Sequence, residues 1–98
     1  MIDKERLKKK IRQIADHYGL QHQCTKTIEE LRELAEECMK TACKGSIPVN
    51  LINEMADVLV MILQLIYLGK IEFEDIESVM EYKVDRQIQR IKEEENGD

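Results

Sequence analysis

The chain has 98 residues, 43% hydrophobic and 36% charged, with a formal net charge of -5. That length makes one domain, residues 1–98, and the composition is that of a charged, mostly helical globular protein, which excludes a disordered tract. The acidic balance argues against a polyanion binder, and with Tyr18, Tyr67, Phe73 and Tyr82 as the only aromatics nothing points to stacked bases, so no nucleic-acid partner is expected.

Three cysteines, Cys24, Cys38 and Cys43, form no CxxC and leave an odd count, which reads as free thiols in a reducing compartment. Cys38 falls on an apolar stripe and is expected in the core. The first ten residues are mostly charged and carry no signal-peptide pattern. The apolar run Val58–Leu68 is eleven residues, short of the roughly 20 needed to cross a bilayer. A cytoplasmic protein without a membrane partner is the expectation.

In chain order, Asp3 is placed to cap a first helix over Lys4–Tyr18, with Leu7, Ile11, Ile14, Ala15 and Tyr18 at helical spacing and Gly19 as its stop. The basic run Lys4–Lys10 reads as the solvated face of that helix. Leu20–Lys26 reads as a connection or as a continuation into the next helix, with Thr25 or Thr27 as a candidate cap of a second helix. That helix runs to Lys44 with Ile28, Leu31, Leu34, Ala35, Cys38, Met39 and Ala42 as its inward stripe. Gly45 stops it, and Pro48 suits the entry to a third helix.

The third helix, ending at Gly69, is apolar nearly all round from Leu51 to Leu68. The other helices of so short a chain cannot cover it, so it is expected to pack against a second copy. A fourth helix is expected from about Glu74 to Glu94, with Ile76, Met80, Val84, Ile88 and Ile91 inward and acids at its start as the helix dipole favours. The tail, residues 93–98, is acidic and expected to fray. No strand signal competes. The fold class is all-α, a four-to-five-helix bundle completed by oligomerisation as a homodimer or homotetramer.

Within this frame two acidic pairs stand out. Glu30 and Glu33 lie one turn apart on the second helix, and Glu54 and Asp57 one turn apart on the third. The Gly45–Asn50 turn makes those helices antiparallel neighbours. The first pair lies 12–15 residues before Gly45 and the second 9–12 after it, which at ~1.5 Å per residue sets them within about a turn of the same height. Four carboxylates brought together repel, and Asp57 sits among Met55, Ala56, Val58 and Leu59, where an unpaired charge is costly. A hard cation resolves both problems, and oxygen-only ligation points to Mg²⁺ or Mn²⁺. No His stands three residues after a helical Glu, so the Glu-x-x-His pattern of di-iron bundles is absent, and His17 and His22 read as surface or substrate-edge residues. The bland alternatives are a solvated Glu-rich face for Glu29–Glu37 and an ion pair for Asp57.

The segment EELREL (Glu29–Leu34), followed after a turn by EMADVL (Glu54–Leu59), resembles the EExxE … ExxD motif of the MazG-like, all-α nucleoside triphosphate pyrophosphohydrolases. The resemblance extends over about Leu20 to Lys92. It implies that Glu30, Glu33, Glu54 and Asp57 bind Mg²⁺, with Mn²⁺ as a substitute, and that Glu29 and Glu30 serve the catalytic step, Glu29 assisting the metal shell or the attacking water. Because Glu33–Glu36 also spells ExxE, a register using Glu36 or Glu37 is a second option. EYKVDRQIQRI (Glu81–Ile91) resembles the family's basic last helix, which implies that Lys83 and Arg86, with Arg90 a turn further, hold phosphate oxygens; a helix merely laced with ion pairs to Glu81 and Asp85 is the alternative. The implied reaction converts a (deoxy)nucleoside triphosphate to monophosphate and pyrophosphate. Hydrolysis of phosphoribosyl-ATP by the same architecture, and a non-catalytic helical oligomerisation module, are the competing functions. Residues that bind the base are not identified, with Tyr18, His22 and Gln23 the candidates.

Overall fold

The computed structural model describes residues 2–97, which form four helices and, among the described residues, no strand. Helix α1 is Lys4–Tyr18. The Asp3 carboxylate accepts a hydrogen bond from the Arg6 N–H at 3.1 Å and satisfies one of the free amides of the first turn. Gly19, at φ 85°, ends the helix by donating its N–H to the Ala15 carbonyl at 2.8 Å.

Helix α2, Leu20–Lys44, begins at the very next residue. Of the two readings of Leu20–Lys26, a connection or a continuation of the helix, the structure has the helix: one residue of positive φ turns the chain, and helix resumes at once. Thr25 and Thr27 are not caps. Their hydroxyls donate back to the carbonyls of Gln21 (3.3 Å) and Gln23 (2.6 Å), as threonines inside a helix do. The two added turns put Gln23 and Lys26 on the same rigid rod as the acids.

Gly45 closes α2 in the left-handed region, and α3, Val49–Leu68, starts behind Pro48, whose fixed φ suits a helix entry. At its far end Gly69 sits so close to the Leu65 carbonyl that an added Cβ would lie 2.9 Å from the oxygen. Helix α4 is Phe73–Glu95. Glu93–Glu95 continue it rather than fraying, and Asp98 lies outside the described residues.

Helices α2 and α3 pack as an antiparallel hairpin with α1 laid against α3. The α2 side of the seam is Gln23, Thr27, Glu30, Leu34, Glu37 and Thr41, a 4-3-4-3-4 progression that keeps one face against a neighbouring helix. The α3 side is Leu51, Glu54, Val58, Met61, Leu65 and Leu68, stepping 3-4-3-4-3.

This reverses the expected inward stripe of α2. Ile28 and Leu31 are about half exposed, Met39 is 68% exposed and Cys38 is on the surface, while Gln23, Thr27, Glu30 and Glu37 are buried. A polar seam faces α3 and the apolar face looks outward. On α3 the outward face is Ile52, Met55, Leu59, Ile62 and Leu63, all exposed. On α1 only Ile11 and Ala15 of the expected stripe are buried.

Helix α4 has no extended contact with the other three, and among the described residues none of its side chains is buried. Ile76 is partly covered, and Met80, Val84, Ile88 and Ile91, expected inward, lie 40–58% exposed. The projecting helix stretches the molecule to 54 Å and gives a radius of gyration of 17.1 Å, against about 13 Å for a compact chain of this length.

Helix α3 is long and apolar enough, by length and composition alone, to cross a membrane, which the shorter run read from the sequence was not. Its Glu54 and Asp57 belong to an acidic cluster shared with α2, and its Gln64 is buried.

Candidate metal centre

The seam between α2 and α3 brings Glu30, Glu33, Glu54 and Asp57 together. One carboxylate oxygen from each lies within 4.8 Å of the other three. Each pair is held by its own helix one turn apart, and the short 45–48 turn fixes the heights at which the pairs meet.

Burial makes this more than a surface accumulation of acid. Glu30 is 7% exposed and Glu54 half-buried, and the Oε2 atoms of both are buried with no hydrogen-bond partner. Unpaired buried carboxylate oxygens are costly, and two of them on residues of one four-acid cluster fit a shared cation. A six-coordinate Mg²⁺ with bonds of about 2.1 Å separates its ligand oxygens by about 3 to 4 Å, so these side chains reach such a cation with little adjustment. The donor set fits: oxygen only, from short and medium side chains on two rigid helices.

Glu36 is exposed and outside this group, so the geometry assembles the Glu30/Glu33 register and not the one through Glu36. Glu37 is buried two turns along the seam but is occupied by Lys40, whose ammonium lies 2.8 Å from its Oε2. That hydrogen bond holds the Lys40 pKa above the ordinary lysine value. Glu29 is adjacent to the cluster without belonging to it.

Lys26 stands one turn before the acids on the same helix. Its Nζ lies 3.3 Å from Glu30 Oε1 and 3.4 Å from Glu29 Oε2. The hydrogen bond to Glu30, and then that to Glu29, raise the lysine's pKa. Sequence reading did not single it out, although its spacing of three and four residues from two glutamates was the available signal.

The cluster borders an open cavity of about 690 Å³. Glu29, Glu30 and Asp57 form one part of its wall, and Ile14, Tyr18 and His22 another. The Tyr18 and His22 rings stack at 4.6 Å, 16° from parallel. Buried Gln23 and Gln64 also line it, Gln23 Nε2 donating to Gln64 Oε1 at 2.7 Å, while His22 Nδ1 lies 2.7 Å from Gln23 Oε1. Gln64 stands alone as an amide in the apolar run Val58–Leu68, and that was the available signal for it. Tyr18, His22 and Gln23 do share this cavity. His17 packs edge-on against Tyr18 but does not line it.

The basic residues of α4 are placed otherwise. Lys83, Arg86 and Arg90 are exposed on the projecting helix and contribute nothing to the cavity wall, and Arg86 lies over the Tyr82 ring at 5.7 Å. Within one chain, then, the structure does not bring them to the four acids.

No curated protein and no solved structure matches the chain. A family model, the MazG nucleotide pyrophosphohydrolase domain, matches residues 20–94. That span opens on the first residue of α2, contains all four clustered carboxylates and runs almost to the end of α4. Enzymes of this family hydrolyse nucleotides and typically depend on a divalent metal, which agrees with a four-carboxylate cluster beside a cavity. With most of its length so matched, the chain belongs to the MazG nucleotide pyrophosphohydrolase family.

Proposed function

We propose that the chain is a Mg²⁺-dependent pyrophosphohydrolase, able to use Mn²⁺, that converts a (deoxy)nucleoside triphosphate to its monophosphate and pyrophosphate and clears surplus or non-standard nucleotides from the cytoplasm. The observation that carries this reading is the pair of buried, unpartnered oxygens of Glu30 and Glu54 inside a four-acid cluster that opens on a cavity.

Glu30, Glu33, Glu54 and Asp57 are the residues that would hold the cation. A divalent ion there supplies charge neutralisation at the phosphates and a lowered pKa for water. Glu29, on the cavity wall and half exposed, is free on its outer side to accept a proton from water or to orient it. The stacked Tyr18 and His22 rings offer a flat surface to a nucleobase, and the Gln23–Gln64 amides offer polar edges below it. The walls between α1 and the α2–α3 seam exclude bulk water from one side of a bound nucleotide.

Self-association completes this reading. The outward faces of α2 and α3 expose Ile28, Leu31, Met39, Ile52, Leu59 and Ile62, a number of large apolar side chains of the kind that marks an interaction site. A homodimer or homotetramer would cover them and give the unpacked α4 a partner. It would also allow Lys83, Arg86 and Arg90 to approach phosphates bound by another subunit.

The test is a panel of standard and modified triphosphates, with phosphoribosyl-ATP included, incubated with Mg²⁺ and read for pyrophosphate against phosphate. Pyrophosphate release from at least one triphosphate, lost in Glu54→Gln/Asp57→Asn, is the expected result. Unchanged release in that double variant refutes the assignment.

A further inference from the structure

We propose that Lys26 is a phosphate-binding residue of this site: it leaves Glu29 and Glu30 and engages a phosphate oxygen of the substrate. The proposal rests on the nucleotide reading above and deepens it.

Three observations carry it. First, the cavity wall holds three carboxylates, Glu29, Glu30 and Asp57, and Lys26 is the one lysine or arginine on it among the described residues. A polyphosphate approaching those acids meets like charge, and a cation on the same wall offsets it at close range. Second, the α4 cations are absent from this wall, so among the described residues no other ammonium or guanidinium lines it.

Third, the contacts of Lys26 are those of a side chain free to move. Its Nζ sits between two oxygens at 3.3 and 3.4 Å, longer than the usual 2.7–2.9 Å of a charge-assisted hydrogen bond, and the side chain is 47% exposed. It covers Oε1 of Glu30, while Glu30 Oε2 is buried without a hydrogen-bond partner. Lys26 therefore stands at the cavity wall and occupies only one of the two Glu30 oxygens. With a cation held by Glu30, the Lys26 ammonium would keep its three donors and its place at the cavity wall.

Lysine on the wall, rather than a fixed arginine fork, suits this exchange. A flexible four-carbon stem rotates a point charge from carboxylate to phosphate without rebuilding the helix. Position 26 is also solvent-facing, so its substitution leaves the buried seam intact.

The experiment compares wild type, Lys26→Met and Lys26→Arg by two measurements. Calorimetry with tripolyphosphate and Mg²⁺ reads phosphate binding without turnover, and Mn²⁺ binding followed by electron paramagnetic resonance reads the cluster alone. Lys26→Met is expected to weaken tripolyphosphate binding by roughly 10- to 100-fold, the scale of one hydrogen bond to a charged group, with Lys26→Arg recovering most of it. Mn²⁺ binding is expected to be as tight or tighter in Lys26→Met, since a competing cation is gone. Unchanged tripolyphosphate binding overturns the proposal, and so does a parallel loss of Mn²⁺ affinity, which would make Lys26 a support of the cluster. If tripolyphosphate binding behaves as expected while no triphosphate is hydrolysed, Lys26 is upheld and the pyrophosphohydrolase reading fails.

Discussion

Gln23 Nε2 donates to Gln64 Oε1 at 2.7 Å, joining two side chains 41 residues apart that are 3% and 1% exposed. Gln23 lies two turns before Glu30, and Gln64 two turns after Asp57, so in the antiparallel hairpin both sit on the same side of the acid cluster. The amide pair is thus a register pin for the seam that sets the acids against one another. Gln64→Leu leaves the buried Gln23 Nε2 donor without its acceptor, at a cost of about 1–3 kcal/mol. In a chain of this size that lowers the melting temperature by roughly 4–8 °C per kcal/mol. Gln23→Leu/Gln64→Leu removes both partners and is expected to recover much of the loss in a thermal melt. A double variant as unstable as the sum of the singles would deny the pair its role.

The cluster itself makes an opposite prediction about stability. Glu54→Gln removes a charge from four carboxylates crowded within 4.8 Å, so without divalent ions the variant is expected to melt higher than wild type. With Mg²⁺ the order reverses, because ion binding stabilises the folded wild type by about 2.7 kcal/mol at 100 times its dissociation constant. Melts of both proteins across a Mg²⁺ titration check this. Parallel curves would show that the acids do not share a cation.

These two seams differ in how readable they were. The acid pairs are legible because a helix puts residues three apart on one face whatever surrounds them, and a turn with Gly45 and Pro48 fixes which helix lies opposite. Asp3 and Gly19 likewise bound α1 by local chemistry. The inward face of α2 is not legible by the same rule. Apolar periodicity marks the face that is most apolar, here Ile28, Leu31, Cys38 and Met39, whereas within the chain α3 is met by Gln23, Thr27, Glu30 and Glu37. A polar seam is tolerated because its members pair across it or along it, as Gln23 does with Gln64 and Glu37 with Lys40. Helix α4 shows the same limit: its stripe from Ile76 to Ile91 is real, but among the described residues no other helix makes extended contact with it.

The outward faces yield a prediction on association. Leu59 is 58% exposed in the centre of the apolar face of α3 and makes no claim on the acid cluster. Wild type is expected to sediment as a dimer or larger. Leu59→Glu puts a charge at the centre of that surface and is expected to shift the distribution to monomer in analytical ultracentrifugation while keeping the helical circular dichroism of α1–α3. An unchanged sedimentation coefficient would move the interface elsewhere, with the face of α4 as the next place to look.

Alkaline pH isolates the contact between α1 and α3. The Tyr67 hydroxyl lies 2.9 Å from both carboxylate oxygens of Asp16 and donates to that group. This hydrogen bond, then partial desolvation, raises the Tyr67 pKa above its ordinary value, while Arg12 over the ring at 5.0 Å pulls it down. A phenol whose folded pKa is raised binds its proton more tightly folded than unfolded. Its contribution to stability is complete below the unfolded value of about pH 10 and is lost as pH rises through the folded one. Lys26 and Lys40, also raised by their glutamates, weaken the fold in the same direction at high pH. They are common to wild type and Tyr67→Phe, so the difference between the two proteins reports Tyr67. Melting temperatures taken from roughly pH 9 to pH 11.5, either side of the ordinary tyrosine pKa, are expected to fall more steeply in wild type than in Tyr67→Phe. Equal slopes would mean that the hydroxyl does not hold α1 to α3 through Asp16.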